Sequence, residues 1–295
     1  MLKQTLTFQS AVSLSLKDRQ LVIKPAGDDT AITRPIEDIG VVVVENQMVR
    51  FTVPVINALA ENNVAVVFCD ATAMPRSILM SLDGNSTLQE IHRAQIEAGE
   101  PAKKCAWKQI IESKIKNQSL LLESLGLCGS PLRSLLAGVK SGDPDNREGR
   151  AARIYWSQIF GPDFRRERNG VPPNGLLNYG YAILRAAVIR ALVGSGLYPA
   201  FGIFHRNRYN AFPLADDIME PYRPCVDAIV YDLYFNGCHT TLGKEEKMTL
   251  QRVLVCDVAM GEVTRPLQVA LSMTTASLAK YYKGDTDKLQ LPELK

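Results

Sequence analysis

His205 is followed by Asn207, Asn210, Asp216, Asp217 and Glu220 within residues 201–224, FGIFHRNRYNAFPLADDIMEPYRP. An apolar approach (Phe201, Gly202, Ile203, Phe204) brings the imidazole out of an interior. A polar turn through Asn207, Asn210 and Pro213 follows, and an acidic helical turn ends on Glu220 and Pro221. On a helix, Asp217 and Glu220 are three apart and Asp216 and Glu220 four apart, so the carboxylates crowd one side. Like charges so close are unfavourable unless a cation or an arginine sits among them. Pro221 and Pro224 lack an N–H, so the Asp217 and Glu220 carbonyls lose their helical partner and need water, a side chain or an ion. Two readings fit. One is a small cation site entered by one imidazole. The other is a helix start whose dipole favours Asp216 and Asp217, with His205 a satisfied core histidine.

A second acid has comparable chemistry. Asp143-Pro144-Asp145-Asn146 marks a turn and a helix start, with a helix expected over 147–160. Ala152, Tyr155 and Ile159 lie four, seven and eleven positions after Glu148, so this carboxylate points inward with them. An isolated buried charge is costly. Arg147, Arg150 and Arg153 are candidate partners, and a cation shared with His205 and Glu220 would serve as well. A plain first-turn acid favoured by the dipole is the alternative. The three His (92, 205, 239) are dispersed, and the six Cys (69, 105, 128, 225, 238, 256) contain no C-x-x-C pair, so they read as buried thiols. Any metal must then rely on carboxylates, which favours Mg2+ or Mn2+ over zinc.

These residues need elements to position them. The expected fold is α+β: a small β-rich domain over residues 1–75, a linker over 76–86, and a larger all-helical catalytic domain over 87–295. Strands are expected at 5–9, 13–16 and 21–23, the last two joined by a hairpin turn at 17–20. A buried β-branched strand follows at 41–45, then a helix at 52–62 and a strand at 64–69. Pro75 and Asp83-Gly84-Asn85 mark the linker. A helix over 102–125 carries Trp107, Ile110, Ile111 and Ile115 on its apolar side. Lys103, Lys104, Lys108, Lys114 and Lys116 are placed elsewhere around it, to track a phosphate backbone or simply to face solvent. Residues 161–173 form a basic loop with Arg165, Arg166 and Arg168, a DNA clamp or a solvated connection. Helices are expected at 175–193, 226–235 and 262–282, and a frayed tail at 284–295.

Residues 1–75 hold six basic and eight acidic side chains, so the net charge of +3 divides as −2 there and +5 in the remainder. A mildly basic C-terminal part is compatible with nucleic acid without demanding it. No N-terminal run has signal-peptide order, and the apolar run at 179–193 is broken by Arg185 and Arg190. The expectation is a soluble, cytoplasmic protein with no membrane partner.

Four stretches in order carry a family resemblance: Trp107-Lys108-Gln109-Ile110 through Lys114-Ile115-Lys116-Asn117-Gln118, Glu148-Gly149-Arg150-Ala151-Ala152 with Tyr155-Trp156, residues 174–182 (NGLLNYGYA), and His205 through Pro224. Together they resemble the CRISPR-associated integrases of spacer acquisition, the Cas-one family, and its type II branch in particular. The resemblance implies a catalytic metal site of Glu148, His205 and Glu220 holding Mg2+ or Mn2+. It implies an endonuclease and integrase that inserts short foreign DNA fragments as new spacers into a CRISPR array, by 3′-hydroxyl attack on a phosphodiester. It also implies double-stranded DNA as partner, a homodimer formed through the β-rich domain, and a hetero-hexamer with a Cas-two dimer, joined by further type II acquisition proteins. Around that site, Asn207 and Asn210 are candidates to orient His205 or bind phosphate, Asp217 to stand behind the ligands, and Arg223 to pair with an acid or a phosphate. Lys103, Lys104, Lys108, Arg165, Arg166 and Arg168 are the candidates for DNA contact. The alternatives are a metal-dependent repair nuclease without an integrase role and a non-catalytic DNA-binding scaffold.

Overall fold

A computed structural model describes residues 3–28, 30–79, 81, 85–237 and 240–295. The first part of the chain contains β1 (Gln4–Phe8), β2 (Val12–Lys17), β3 (Gln20–Pro25), β4 (Ile32–Pro35), β5 (Ile39–Val44), β6 (Arg50–Phe51), α1 (Val53–Glu61), β7 (Ala65–Cys69) and β8 (Pro75–Leu79). They form two sheets, in the orders β4-β3-β2-β6 and β1-β5-β7-β8. The expected hairpin is β2–β3. Its two turn residues, Asp18 and Arg19, have φ of 51° and 59°, the positive pair that matches the twist of the strands.

Every residue of β5 is buried because the sheet is covered on both faces. Val42 and Val44 join Leu14, Leu21, Val55 and Leu59 in one core. Val41 and Val43 join Val67 and the helices in the other. The sheet is therefore a shared wall between the β-rich and helical parts. A buried polar cluster fastens the same seam: Glu45 accepts from the Tyr179 hydroxyl at 3.0 Å and meets Lys247 Nζ at 3.3 Å.

The β-rich part runs past residue 75. Strand β8 pairs antiparallel with β7, Val66 opposite Leu79 and Val67 opposite Ile78, so the expected linker loses its first residues to the sheet. Pro75 tolerates this position because it opens an edge strand, where a missing N–H costs little. Met80, Leu82, Asp83 and Gly84 of the expected linker lie outside the described residues, as do Cys238 and His239.

The second part contains α2 (Leu88–Glu97), α3 (Glu100–Ser124), α4 (Ser130–Leu136), α5 (Arg147–Phe160), α6 (Asn174–Gly194), α7 (Pro213–Met219), α8 (Arg223–Tyr231), α9 (Lys244–Gln251), β9 (Asp257–Met260), β10 (Val263–Pro266), α10 (Leu267–Lys283) and β11 (Glu293–Leu294). Helix α6 is long and apolar enough to cross a membrane by length and composition, contrary to the sequence expectation, yet 78% of that stretch is buried. Its two arginines have partners: Arg185 pairs with Asp216, and Arg190 Nε donates to the Asn63 carbonyl. It serves as the core helix, packed against α7, α8, α9 and α10.

This part is not all-helical. Strands β10, β9 and β11 form a third sheet, and residues 263–266, expected to open the last helix, are strand instead. Gly261, with φ of 64°, turns the chain between β9 and β10, and α10 starts only after Pro266. Nor is the tail frayed, because β11 pairs with β9 and α3 holds the approach to it. Gln109 donates to the Asp287 carbonyl and accepts from Leu289 N–H. Buried Asn117 donates to the carbonyls of Pro221 (2.8 Å) and Pro292 (3.1 Å) and accepts from Leu294 N–H (3.0 Å). Asn117→Ala strands these three backbone groups, and the expected cost is about 3 kcal/mol, read as a lower urea midpoint with unchanged slope. A midpoint equal to wild type would show that the tail is not held here.

The thiol expectation is half met. Cys69 and Cys225 are buried and Cys256 partly so, but Cys105 and Cys128 are exposed.

Candidate active site

Glu148 is set by the start of α5. The Asp143 carboxylate accepts from Arg147 and Glu148 N–H, both at 2.9 Å, and the Asn146 side chain accepts from Gly149 N–H at 3.2 Å. Tyr155 and Ile159 are buried as the spacing predicts, and Glu148 turns inward with 29% of its side chain exposed. Its partner is none of the nearby arginines. Arg147 donates to the Leu135 carbonyl, and Arg150 and Arg153 are exposed. Lys114 of α3 fills the role instead: its Nζ lies 2.5 Å from Glu148 Oε1 and 2.6 Å from Glu220 Oε2, with only 7% of the side chain exposed. The sequence reading placed Lys114 away from the apolar side of this helix, and the structure corrects that.

Glu220 stands at the joint between α7 and α8. The two prolines do not leave carbonyls open as expected. Glu220 N–H donates to the Asp217 carbonyl and Arg223 N–H to the Glu220 carbonyl, and these i,i+3 bonds tighten Glu220–Tyr222 into a 3-10 turn. The Glu220 side chain is 6% exposed, with Oε1 2.9 Å from Arg223 Nε. Burial alone would raise its pKa, but Arg223 and Lys114 outweigh burial and hold it at about 2. Short distance and good geometry part company here: Glu220 Oε2 and Arg223 Nε are buried without a directed hydrogen bond. We read both as charge contacts, because the distances are short while the angles are poor.

The three acids do not crowd one side. Asp216 pairs with Arg185 at 2.6 and 3.1 Å and accepts from Asn210 Nδ2 at 2.6 Å. Asp217 turns the other way and is fully buried. It accepts from the N–H groups of Ile203 (2.6 Å), Phe204 (3.1 Å) and His205 (3.2 Å) and lies 2.6 Å from His205 Nδ1. Gly202 permits this tight loop, since a Cβ there would stand 2.5 Å from the His205 carbonyl oxygen. The Asp217 hydrogen bond raises the pKa of His205 against the opposing effect of burial, and the charge of Glu220 adds to the rise. With Nδ1 committed to Asp217, Nε2 is the nitrogen left to serve as an acceptor. Trp107 stands edge-on to the imidazole at 5.8 Å and stacks on Phe204 at 4.3 Å.

Beyond Arg223 lies a cleft of about 790 Å³ lined by Arg76, Arg166, Arg168, Arg185, Arg223 and Asn178, among others. Arg166 and Arg223 lie over the Tyr181 ring, at 5.2 and 4.6 Å from its centre. The Tyr181 hydroxyl donates to buried Asp227, as does Tyr155 at 2.7 Å. Of the expected DNA contacts, Arg166 and Arg168 line the cleft, while Arg165 folds onto the Pro162 and Phe164 carbonyls. Lys103, Lys104 and Lys108 do not line it, and Lys108 pairs with Glu112 at 3.6 Å. The loop at 161–173 is fastened by buried Asn174, which donates to the Arg165 and Val171 carbonyls and accepts from Glu167 N–H and Arg166. Asn207 caps its own turn by accepting from Tyr209 N–H, and Asn210 belongs to the Arg185–Asp216 cluster.

Burial pushes the Asp227 carboxyl up to about 6 against the two tyrosine hydrogen bonds. The unfolded chain releases this proton near 3.8, so between the two values the folded state holds more protons and stability falls as pH rises. Denaturant titrations at pH 4 and pH 7 should differ by about 2 kcal/mol from this group, with the protein more stable at pH 4 in that contribution. Asp227→Asn should remove the difference. An unchanged pH profile in the variant would contradict this assignment.

Among the described residues, no three His, Cys, Asp or Glu side chains are gathered closely enough to hold a metal ion by themselves. Glu148, Glu220 and His205 nevertheless suit a hard divalent cation. Two carboxylates from different helices already share one positive charge, Glu220 Oε2 is buried without a directed hydrogen bond, and His205 has Nε2 to spare.

The family model described as CRISPR associated protein Cas1 matches residues 6–251. The chain is 36% identical over 298 residues to the CRISPR-associated endonuclease Cas1 of Neisseria meningitidis serogroup C (strain 8013), covering 99% of this chain and 96% of the relative. It superposes with a TM-score of 0.80 on a casposase bound to integration product, at 20% identity, covering 98% of this chain and 93% of that one. It also superposes on a chain of a Cas6-RT-Cas1–Cas2 complex with a TM-score of 0.75, at 22% identity, covering 99% of this chain and 36% of that one. At these identities the structural likeness speaks for the fold alone.

Proposed function

The chain belongs to the Cas1 family of CRISPR-associated proteins, and from that premise we propose that it is a metal-dependent DNA integrase and endonuclease of the type II branch. It inserts short foreign DNA fragments into a CRISPR array. The observation that carries this reading is the meeting of Glu148 and Glu220 on one buried cation position, beside His205 and at the edge of an arginine-lined cleft.

Glu148, Glu220 and the Nε2 of His205 are the groups that would hold Mg2+ or Mn2+. Such an ion, when bound, polarises a phosphoryl oxygen and stabilises a leaving oxygen. The protein's own residues do the rest. Arg166, Arg168 and Arg223 present guanidinium groups to phosphates, and Asp217 fixes the tautomer and direction of His205. In strand transfer, the 3′-hydroxyl oxygen of the incoming fragment bonds to a target phosphorus as the target's P–O3′ bond breaks. The proton of the attacking hydroxyl is released, and the departing 3′-oxygen takes one up. The count of phosphodiesters is unchanged, and no protein nucleophile is required. Water in place of the 3′-hydroxyl gives plain cleavage.

The partners proposed are double-stranded DNA, a second copy of the chain joined through the β-rich part, and a Cas2 dimer in a hetero-hexamer, acting in the cytoplasm with further type II acquisition proteins. A neighbour in fold is a chain of a Cas6-RT-Cas1–Cas2 complex, and the pairing is proposed by analogy with it. The deciding assay incubates a supercoiled plasmid carrying the repeat array with a short duplex bearing free 3′-hydroxyls, the Cas2 partner, and Mn2+ or EDTA. Joined products that require Mn2+ are expected. Shortened DNA without joining would favour a repair nuclease, and binding with neither would leave a scaffold.

A further inference from the structure

Lys114 is a charged group at the centre of the site that the proposed chemistry does not use. It comes from α3, which supplies none of the three proposed ligands, and it reaches the site from the face that buries Trp107, Ile111 and Gln118. An ammonium this deep is retained only where carboxylates compensate it. Its two contacts are unequal. It hydrogen-bonds Glu148 squarely and meets Glu220 Oε2 at 2.6 Å from a less favourable direction, so Glu220 holds it less firmly. The other cation on Glu220 is held differently: Arg223 lies against the Tyr181 ring and stays with that wall of the cleft.

We infer that Lys114 is a built-in counter-cation. Its ammonium keeps Glu148 and Glu220 at a cation's spacing while no divalent ion is bound, and gives up the place between them when one binds. The inference rests on the metal-site reading above. Without Lys114, Glu148 and Glu220 would face each other, with Arg223 the cation left on Glu220. With it, the two carboxylates are held in place around one positive charge. A dication needs the inner oxygens that Lys114 covers, and two positive groups do not share one position. Lysine suits the exchange because its charge is compact, strongly hydrated and carried on a flexible stem, whereas a guanidinium fork would stay engaged. Lys114 is in this sense a positioning residue, since it acts through the two glutamates.

The consequence is a trade that a merely structural lysine would not show. In the full-length protein, Lys114→Met should lower the melting temperature in EDTA by several degrees. It should also bind Mn2+ about tenfold more tightly, followed by loss of the free-ion paramagnetic resonance signal, and gain more melting temperature from Mn2+ than wild type does. Lys114→Arg should keep the EDTA melting temperature and bind Mn2+ about tenfold more weakly. Unchanged or weaker Mn2+ binding by folded Lys114→Met overturns the inference while leaving the metal site standing. Should that variant fail to fold, wild-type Mn2+ affinity in Lys114→Arg overturns it equally. Absence of Mn2+ binding in all three proteins, wild type included, removes the metal site itself and this inference with it.

Discussion

Glu220→Ala should lower Mn2+-dependent strand transfer on the order of 10³-fold or more and destabilise the metal-free protein by about 3 kcal/mol. The two losses have separate causes. Transfer falls because one of two carboxylates that can hold a cation is gone. Stability falls because Lys114 and Arg223 lose the acid they share, although Lys114 keeps Glu148 and Arg223 keeps the Tyr181 ring. Glu148→Ala offers the contrast. Its side chain is 29% exposed against 6% for Glu220, so the same loss of transfer should come with a smaller loss of stability. The acid limb of the stability curve gives a further check. The Glu220 carboxyl is held at about 2 in the folded protein and titrates near 4.5 when free. Its contribution is therefore complete above pH 4.5 and lost as pH falls towards 2, and Glu220→Ala should flatten that limb. Urea titrations in EDTA measure the stability terms, and the plasmid assay measures transfer. Transfer within tenfold of wild type in Glu220→Ala would end the integrase reading.

Glu148 and Lys114 show what can be read from a sequence and where reading stops. Glu148 is legible by phase, because it falls in step with Tyr155 and Ile159, and both are buried as expected. Lys114 is in phase too: it lies seven residues after Trp107, three after Ile111 and four before Gln118, all of them buried. Its charge argues the other way, since a lysine on a long helix is ordinarily solvated, and only the two acids that answer it keep it inside. The divergence of Asp216 and Asp217 was beyond the reach of phase. It depends on Arg185 from α6 and on the N–H groups of residues 203–205, which only the tertiary fold brings near. The third sheet was hidden for a related reason. Two residues of β11 carry no periodicity, and their pairing with β9 spans more than thirty residues of chain. Strong local patterns, by contrast, were legible: the β2–β3 hairpin, the all-apolar β5, and helices α3, α5 and α6.

Asp217→Asn should cost ~10–100-fold in both Mn2+ affinity and transfer, and about 2–4 kcal/mol of stability, without replacing any group proposed to meet DNA or metal. Asp217 accepts four contacts on two oxygens: three backbone N–H groups and His205 Nδ1. An asparagine keeps one acceptor and turns the other end into a donor. With its amide facing the backbone, it abandons the N–H groups of Ile203 and Phe204 and loosens the loop carrying His205. With its amide facing the imidazole, it favours the tautomer that bears hydrogen on Nε2, the nitrogen needed as an acceptor. Either orientation spoils His205 rather than the reaction itself. The double variant Asp217→Asn with His205→Ala should therefore transfer no more slowly than His205→Ala alone, since Asp217 acts through the imidazole. A multiplicative loss in the double variant would mean that Asp217 has work independent of His205, and that its burial behind the loop is not its whole role.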